Sequence, residues 1–166
     1  MTRPPSTRFM EVWQFSVDWP GTPSQQQSVR EGLAFPFHSN GHRLMQRLDR
    51  HVNAAGRSYL PIGFLEMDRL GLSGAGGINL SHHLQDPIII RAVVCHEVIH
   101  VIDQRDMITP EDRNLFMDWI SGNHRGHWLN EYQETFADAG RDWLLSSYAS
   151  PGQWRQLTAI LLPEGE

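Results

Sequence analysis

The chain contains no lysine. All 14 of its basic residues are arginine, set against 19 acidic residues, and its net charge is −5. Genomic base composition is the plain explanation for the missing lysine. No basic run occurs anywhere, so neither a nucleic-acid backbone nor an anionic membrane finds the clustered cations it would need. Cysteine is almost absent too. Cys95 has no internal disulfide partner, reads as core, and leaves the fold independent of an oxidising compartment. No apolar run is long and unbroken enough to span a bilayer. The first residues, MTRPPSTRF, lack the apolar core of a secretory signal, and the expected location is cytoplasmic. With 166 residues and 40% hydrophobic content, residues 1–166 are expected to form one domain that buries roughly two-thirds of its unfolded surface.

Periodicity divides the chain into a sheet-containing first half, residues 1–86, and an all-helical second half, residues 87–166, which together predict an α+β fold. Loose alternation over 9–19 predicts a strand, and 20–39, with its Gln25-Gln26-Gln27 run, reads as a long loop. Leu44, Leu48 and Val52 give 40–56 one apolar helical stripe, stopped by Gly56. Residues 59–66 read as a strand, where Pro61 suggests an edge or a bulge. Residues 68–76 read as a flexible turn, followed by a short strand at 77–81. Its place just before the helix of 86–105 makes Gly77, Ile78 and Asn79 candidates for an edge that receives an extended peptide by backbone pairing. Gly76 and Gly77 would let another backbone come close. His82 and His83 follow as loop residues. Further helices are expected from Pro110, from Asn130 to about Ser147, and from Pro151 to Leu162.

The helix over 86–105, DPIIIRAVVCHEVIHVIDQR, is the most informative stretch. Asp86 suits an N-cap and Pro87 a first helical residue. Apolar residues cover nearly the whole circumference, so the helix is expected to be buried on all sides. Ionisable groups on such a helix cost several kcal/mol unless something satisfies them, yet His96, Glu97 and His100 fall within five positions. One helical turn separates His96 from His100, so both imidazoles can reach a single Zn²⁺, with Glu97 beside them to act on a water that the ion activates. This is the His-Glu-x-x-His arrangement of zinc peptidases. With 9 His and 9 Glu, it would arise by chance only about 0.03 times per chain.

A catalytic zinc ion normally has three protein ligands and one open position. Two residues compete for the third place. Glu134 belongs to a series, Glu131, Glu134, Asp138 and Asp142, that stacks like charge on one helix face and would be relieved by a cation. Asp106 lies six residues after His100, but a ligand there needs a sharp turn that glycine would allow, and Asp103 stands at the turn position. Glu134 is the better candidate, and Asp103 reads as a solvated residue near the helix end.

His96-Glu97-Val98-Ile99-His100-Val101-Ile102-Asp103, followed by Glu134-Thr135-Phe136-Ala137-Asp138, resembles the gluzincin zinc metallopeptidases. Most similar is the lethal-factor-type C-terminal peptidase family, with its His-Glu-x-x-His-x-x-Asp helix and Glu-x-Phe-Ala-acid helix. The likeness covers about residues 87–147. It implies a zincin-like fold with an edge strand over the active-site helix. It further implies His96, His100 and Glu134 as zinc ligands, Glu97 as general base, and Asp138 as acceptor from a ligand histidine. Where the family has a tyrosine seven residues before the ligand glutamate, this chain has His127. Other gluzincins use histidine to steady the oxyanion, so His127 is the expected counterpart, with His124 and Tyr132 as alternatives.

The expected activity is hydrolysis of peptide bonds in a peptide or protein substrate by a zinc-activated water, assisted by Glu97. A catalytically idle, zinc-containing peptide-binding module is the rival, though a structural ion would not require Glu97. A peptidase that cuts one cognate regulator, as in phage or stress-response systems, is a further alternative. The sequence assigns no oligomeric state.

Overall fold

A computed structural model of the protein describes residues 12–34, 39–54, 56, 59–74, 76–121, 130–145 and 151–163. Among these, four strands precede most of the helical content, as an α+β fold requires. In chain order they are β1 (Trp13–Phe15), α1 (Pro23–Ala34), α2 (Ser39–Ala54), β2 (Leu60–Leu65), β3 (Gly71–Gly74), β4 (Gly77–Ser81), α3 (Pro87–Gln104), α4 (Pro110–Ser121), α5 (Asn130–Leu144) and α6 (Pro151–Leu161). No helix among the described residues is long and apolar enough to cross a membrane.

The strands form one sheet in the order β1-β2-β4-β3, with β1, β2 and β4 parallel and β3 antiparallel to β4. Three expectations change here. Residues 68–76 are not merely a flexible turn, because β3 forms within them and is one edge of the sheet. Its segment, GLSG, has no strand pattern of its own and becomes a strand by pairing with β4. In consequence Gly77, Ile78 and Asn79 are not on an edge. β4 is flanked on both sides, and Ile78 is buried in the core. Gly77 (φ 143°) does admit a close backbone neighbour, but that neighbour is Pro61 of β2. A Cβ at Gly77 would stand 2.5 Å from the Pro61 carbonyl oxygen. Pro61 itself lies in an interior strand. Leu60 N–H and the Ile62 carbonyl both bond toward β1, so the position of proline's missing N–H faces β4, where pairing starts only at Ile62.

α1 replaces the loop expected at 20–39. Thr22 and Gln25 form a reciprocal capping box: the Thr22 hydroxyl accepts from Gln25 N–H (3.1 Å), and the Gln25 side-chain oxygen accepts from Thr22 N–H (2.9 Å). Val29 and Leu33, one turn apart, are fully buried, and α1 packs along α3. Two apolar positions suffice for a helix whose start is chemically fixed.

α3 begins as its sequence requires, with Asp86 Oδ1 accepting from Ile88 N–H at 2.9 Å and Pro87 in the first turn. It is not buried all round: Ile88 is 75% exposed and Ile89 45%. The helix ends in a Schellman turn, in which Asp106 N–H donates to the Asp103 carbonyl and Met107 N–H to the Ile102 carbonyl. Asp106 takes the left-handed position there (φ 57°) without being glycine. Asp103 is not solvated but 2% exposed, and Arg113 of α4 grips it through Nε (3.0 Å) and Nη2 (2.8 Å) to Oδ1.

Packing of α5 against α3 brings the two halves of the candidate site together. At the crossing stands Gly140, where an added Cβ would lie 2.6 Å from Ile99 Cγ1 and 2.7 Å from its Cδ1. Ile99 is fully buried and has nowhere to retreat. Beside Gly140 on α5, Trp143 packs on Trp154 of α6 and donates from Nε1 to Thr158 Oγ1 at 2.9 Å. Phe136 meets Phe116 of α4 edge to face. The aromatics thus fix α5 against α4 and α6 along the same stripe on which glycine sets its approach to α3.

Alanine for glycine inside a helix ordinarily stabilises by up to about 1 kcal/mol. Here overpacking reverses the sign, and Gly140→Ala lowers the unfolding free energy by about 1–3 kcal/mol in urea denaturation. The double variant Gly140→Ala/Ile99→Ala is less destabilised than the sum of its single changes. A stabilised Gly140→Ala protein would contradict the close approach.

Candidate metal centre

His96 and His100 lie one turn apart on α3, with their Nε2 atoms 3.1 Å from each other. Glu134 reaches across from α5 and spans both, with Oε1 2.8 Å from His100 Nε2 and Oε2 3.2 Å from His96 Nε2. Four donors placed tetrahedrally at zinc's usual 2.0–2.1 Å stand about 3.3 Å apart, so these separations suit a small ion. Asp106, the competing ligand candidate, has a side chain 87% exposed at the Schellman turn, where it pairs with Arg113 instead. Of the four acids expected to share a face of α5, Glu134 and Asp138 turn to the histidines. Asp142 pairs with its neighbour Arg141 (3.1 Å), and Glu131 is exposed.

Protons alone satisfy this arrangement poorly. His96 Nδ1–H donates to Asp138 Oδ1 at 2.8 Å, which fixes the tautomer and leaves a lone pair on Nε2. That lone pair faces Glu134 Oε2 with no proton between them. A single proton on His100 Nε2 can serve one acceptor only. An extra proton on His96 would supply the missing charge to one contact, whereas a divalent cation at the meeting point supplies it to all three residues at once. The donor set, two imidazoles and a carboxylate, is one that zinc accepts, and the residues fit the ion.

Glu97 lies beside the pair, with Oε1 3.9 Å from His96 Nε2. It is 4% exposed, and its other oxygen, Oε2, is buried with no hydrogen-bond partner. Burial pushes its carboxyl above the ordinary carboxylate range, against a smaller opposing pull from His100. β3 covers this side chain closely: a Cβ at Gly71 would stand 3.1 Å from Glu97 Cγ. Cys95, next in sequence to His96, points into the core, where burial drives its thiol to about 12 and makes it inert as a ligand or nucleophile.

These groups line a cleft of about 820 Å³ between β3, α3 and α5. Its rim carries Leu70 and Leu72 from the β3 side and Ile88 and Ile89 from the first turn of α3, all exposed. Among the lining residues that sequence reasoning does not pick out, three bear on the site. Arg141 reaches Asp138 Oδ1 at 3.2 Å and holds it against His96, while Arg69 and Ser73 line the β3 side. The three-residue spacing from Asp138 to Arg141 was a readable signal, but Arg69 and Ser73 depend on a strand the sequence does not announce. Gly77, Ile78 and Asn79 are not among the lining residues, and neither is Tyr132, which is half-buried on α5. His127 and His124 lie outside the described residues. No protein-family model, curated protein or solved structure matches the chain.

Asp138→Asn weakens the hold on the His96 tautomer and lowers zinc affinity about 10–100-fold in competition with a chromophoric chelator. The melting temperature of the zinc-free protein stays near that of the wild type, because Asp138 is exposed. Unchanged affinity would show that Asp138 does not orient His96.

Proposed function

We propose that the chain is a zinc-dependent endopeptidase of gluzincin type, with His96, His100 and Glu134 as ligands and Glu97 as general base. The observation that carries the reading is the convergence of two imidazole nitrogens and one carboxylate within 2.8–3.2 Å, next to a buried glutamate that is itself not needed to complete the set. A purely structural ion would give Glu97 no reason to occupy an apolar helix at the cost of desolvation. The likeness to the lethal-factor-type peptidases agrees with this reading in the ligand helix, the second helix and the acceptor Asp138.

When bound, the ion supplies a Lewis acid for the scissile carbonyl and lowers the pKa of water toward about 7. Glu97 takes a proton from the attacking water as the oxygen–carbon bond forms, then delivers it to the leaving nitrogen as the carbon–nitrogen bond breaks. Its raised pKa suits both halves of that task. Asp138, braced by Arg141, keeps His96 in the tautomer that presents Nε2 to the ion. β3 offers an edge along which an extended peptide can pair, and the Leu70, Leu72, Ile88 and Ile89 rim favours apolar side chains around the bond. The resemblance gives the oxyanion to His127.

Glu97→Gln retains zinc at wild-type stoichiometry and loses about 10²–10⁴-fold in turnover on an unstructured protein substrate. Full activity in that variant would remove Glu97 from the mechanism. Dialysis against a chelator abolishes hydrolysis while far-ultraviolet circular dichroism stays native, and zinc restores activity. Collapse of the helical signal together with the metal would favour the structural-ion reading.

A further inference from the structure

A second group of ligand-type side chains lies outside the cleft. β2 and β4 are parallel neighbours in a register that pairs Leu65 with Ser81, so the chain leaves both strands side by side, and Glu66 meets His82 and His83. His82 Nε2 stands 3.0 Å from Glu66 Oε2, and His83 Nε2 stands 3.3 Å from Glu66 Oε1. Adjacent residues in a strand point to opposite faces. Here the turn sets both rings on one side, with centroids 4.0 Å apart. All three ligand atoms lie within 4.8 Å of one another.

The turn is held from several directions. His82 N–H donates to the Leu65 carbonyl (2.9 Å), and Leu84 N–H to that of Ser81 (3.2 Å). Buried Gln25 of α1 donates from Nε2 to the carbonyls of His82 (2.9 Å) and Leu84 (2.7 Å). The backbone beneath the two imidazoles is therefore fixed before any ligand arrives, which lowers the ordering cost of binding.

We propose that Glu66, His82 and His83 form a second divalent-metal site, selective for a first-row transition ion such as Zn²⁺. Imidazole nitrogens with a carboxylate suit that class, whereas Ca²⁺ and Mg²⁺ call for all-oxygen surroundings. An ion pair alone is the competing explanation, and it fits less well. Two imidazolium groups this close would repel, so one carboxylate between them cannot draw full benefit from both, and exposed pairs contribute little. A single ion engages all three side chains and ties the end of β2 to the turn that leads into α3.

The 166-residue chain is dialysed to equilibrium against micromolar free Zn²⁺, and bound zinc is counted per chain for the wild type, His82→Asn/His83→Asn and Glu66→Gln. The double variant binds one ion fewer than the wild type, whatever the cleft contains, and Glu66→Gln shows a fractional loss. The zinc-free melting temperature, alike in all three, reports that folding is intact. Equal counts in the wild type and the double variant would overturn the proposal. Peptidase activity is not the readout, so failure of this site and failure of the cleft assignment are distinguishable.

Discussion

Everything at the cleft depends on how close α5 comes to α3. His96 and His100 can be placed by one helix alone, but a carboxylate can span their Nε2 atoms only if a second helix comes within reach of the Glu134 side chain. Gly140 against Ile99 permits that approach, and the aromatic packing of Phe136 and Trp143 fixes α5 against α4 and α6 beside it. A small residue at the crossing thus sets the distance, and the acidic residues on the same helix make use of it.

α3 itself carries two departures from what folding alone favours. On α3 the apolar surface is almost continuous, and burying Glu97 in it carries a desolvation cost that shows in its raised pKa. The first turn of that helix carries the opposite anomaly, with Ile88 and Ile89 facing outward. A buried carboxylate and exposed isoleucines on one helix are both unfavourable for folding by itself. Both border the cleft, where departures from local consistency are expected.

Much of this was readable in the sequence, for local reasons. Asp86-Pro87 fixed the start of α3, and four-residue spacing placed the two histidines together. The third dimension was not readable to the same degree. In the sequence α1 reads as a loop because two buried apolar residues make no clear period, although the Thr22-x-x-Gln25 capping box is present. β3 carries no signal of its own, since GLSG is a strand only through its partner, and without it β4 reads as the edge. Asp103 looked solvated because Arg113, which neutralises it, comes from the following helix. Glu66 lies sixteen residues before His82 and joins it only through the parallel register of β2 and β4, which is why the two histidines read as an ordinary loop.

The central claim is that α3 and α5 together surround one divalent ion. An anomalous-difference map from zinc-loaded crystals tests it most directly. The account predicts a peak bonded to His96 Nε2, His100 Nε2 and a Glu134 carboxylate oxygen at about 2.0–2.2 Å, with one corner left to solvent. A peak held by the histidines alone, with Glu134 turned to solvent and no other protein donor in its place, would contradict it.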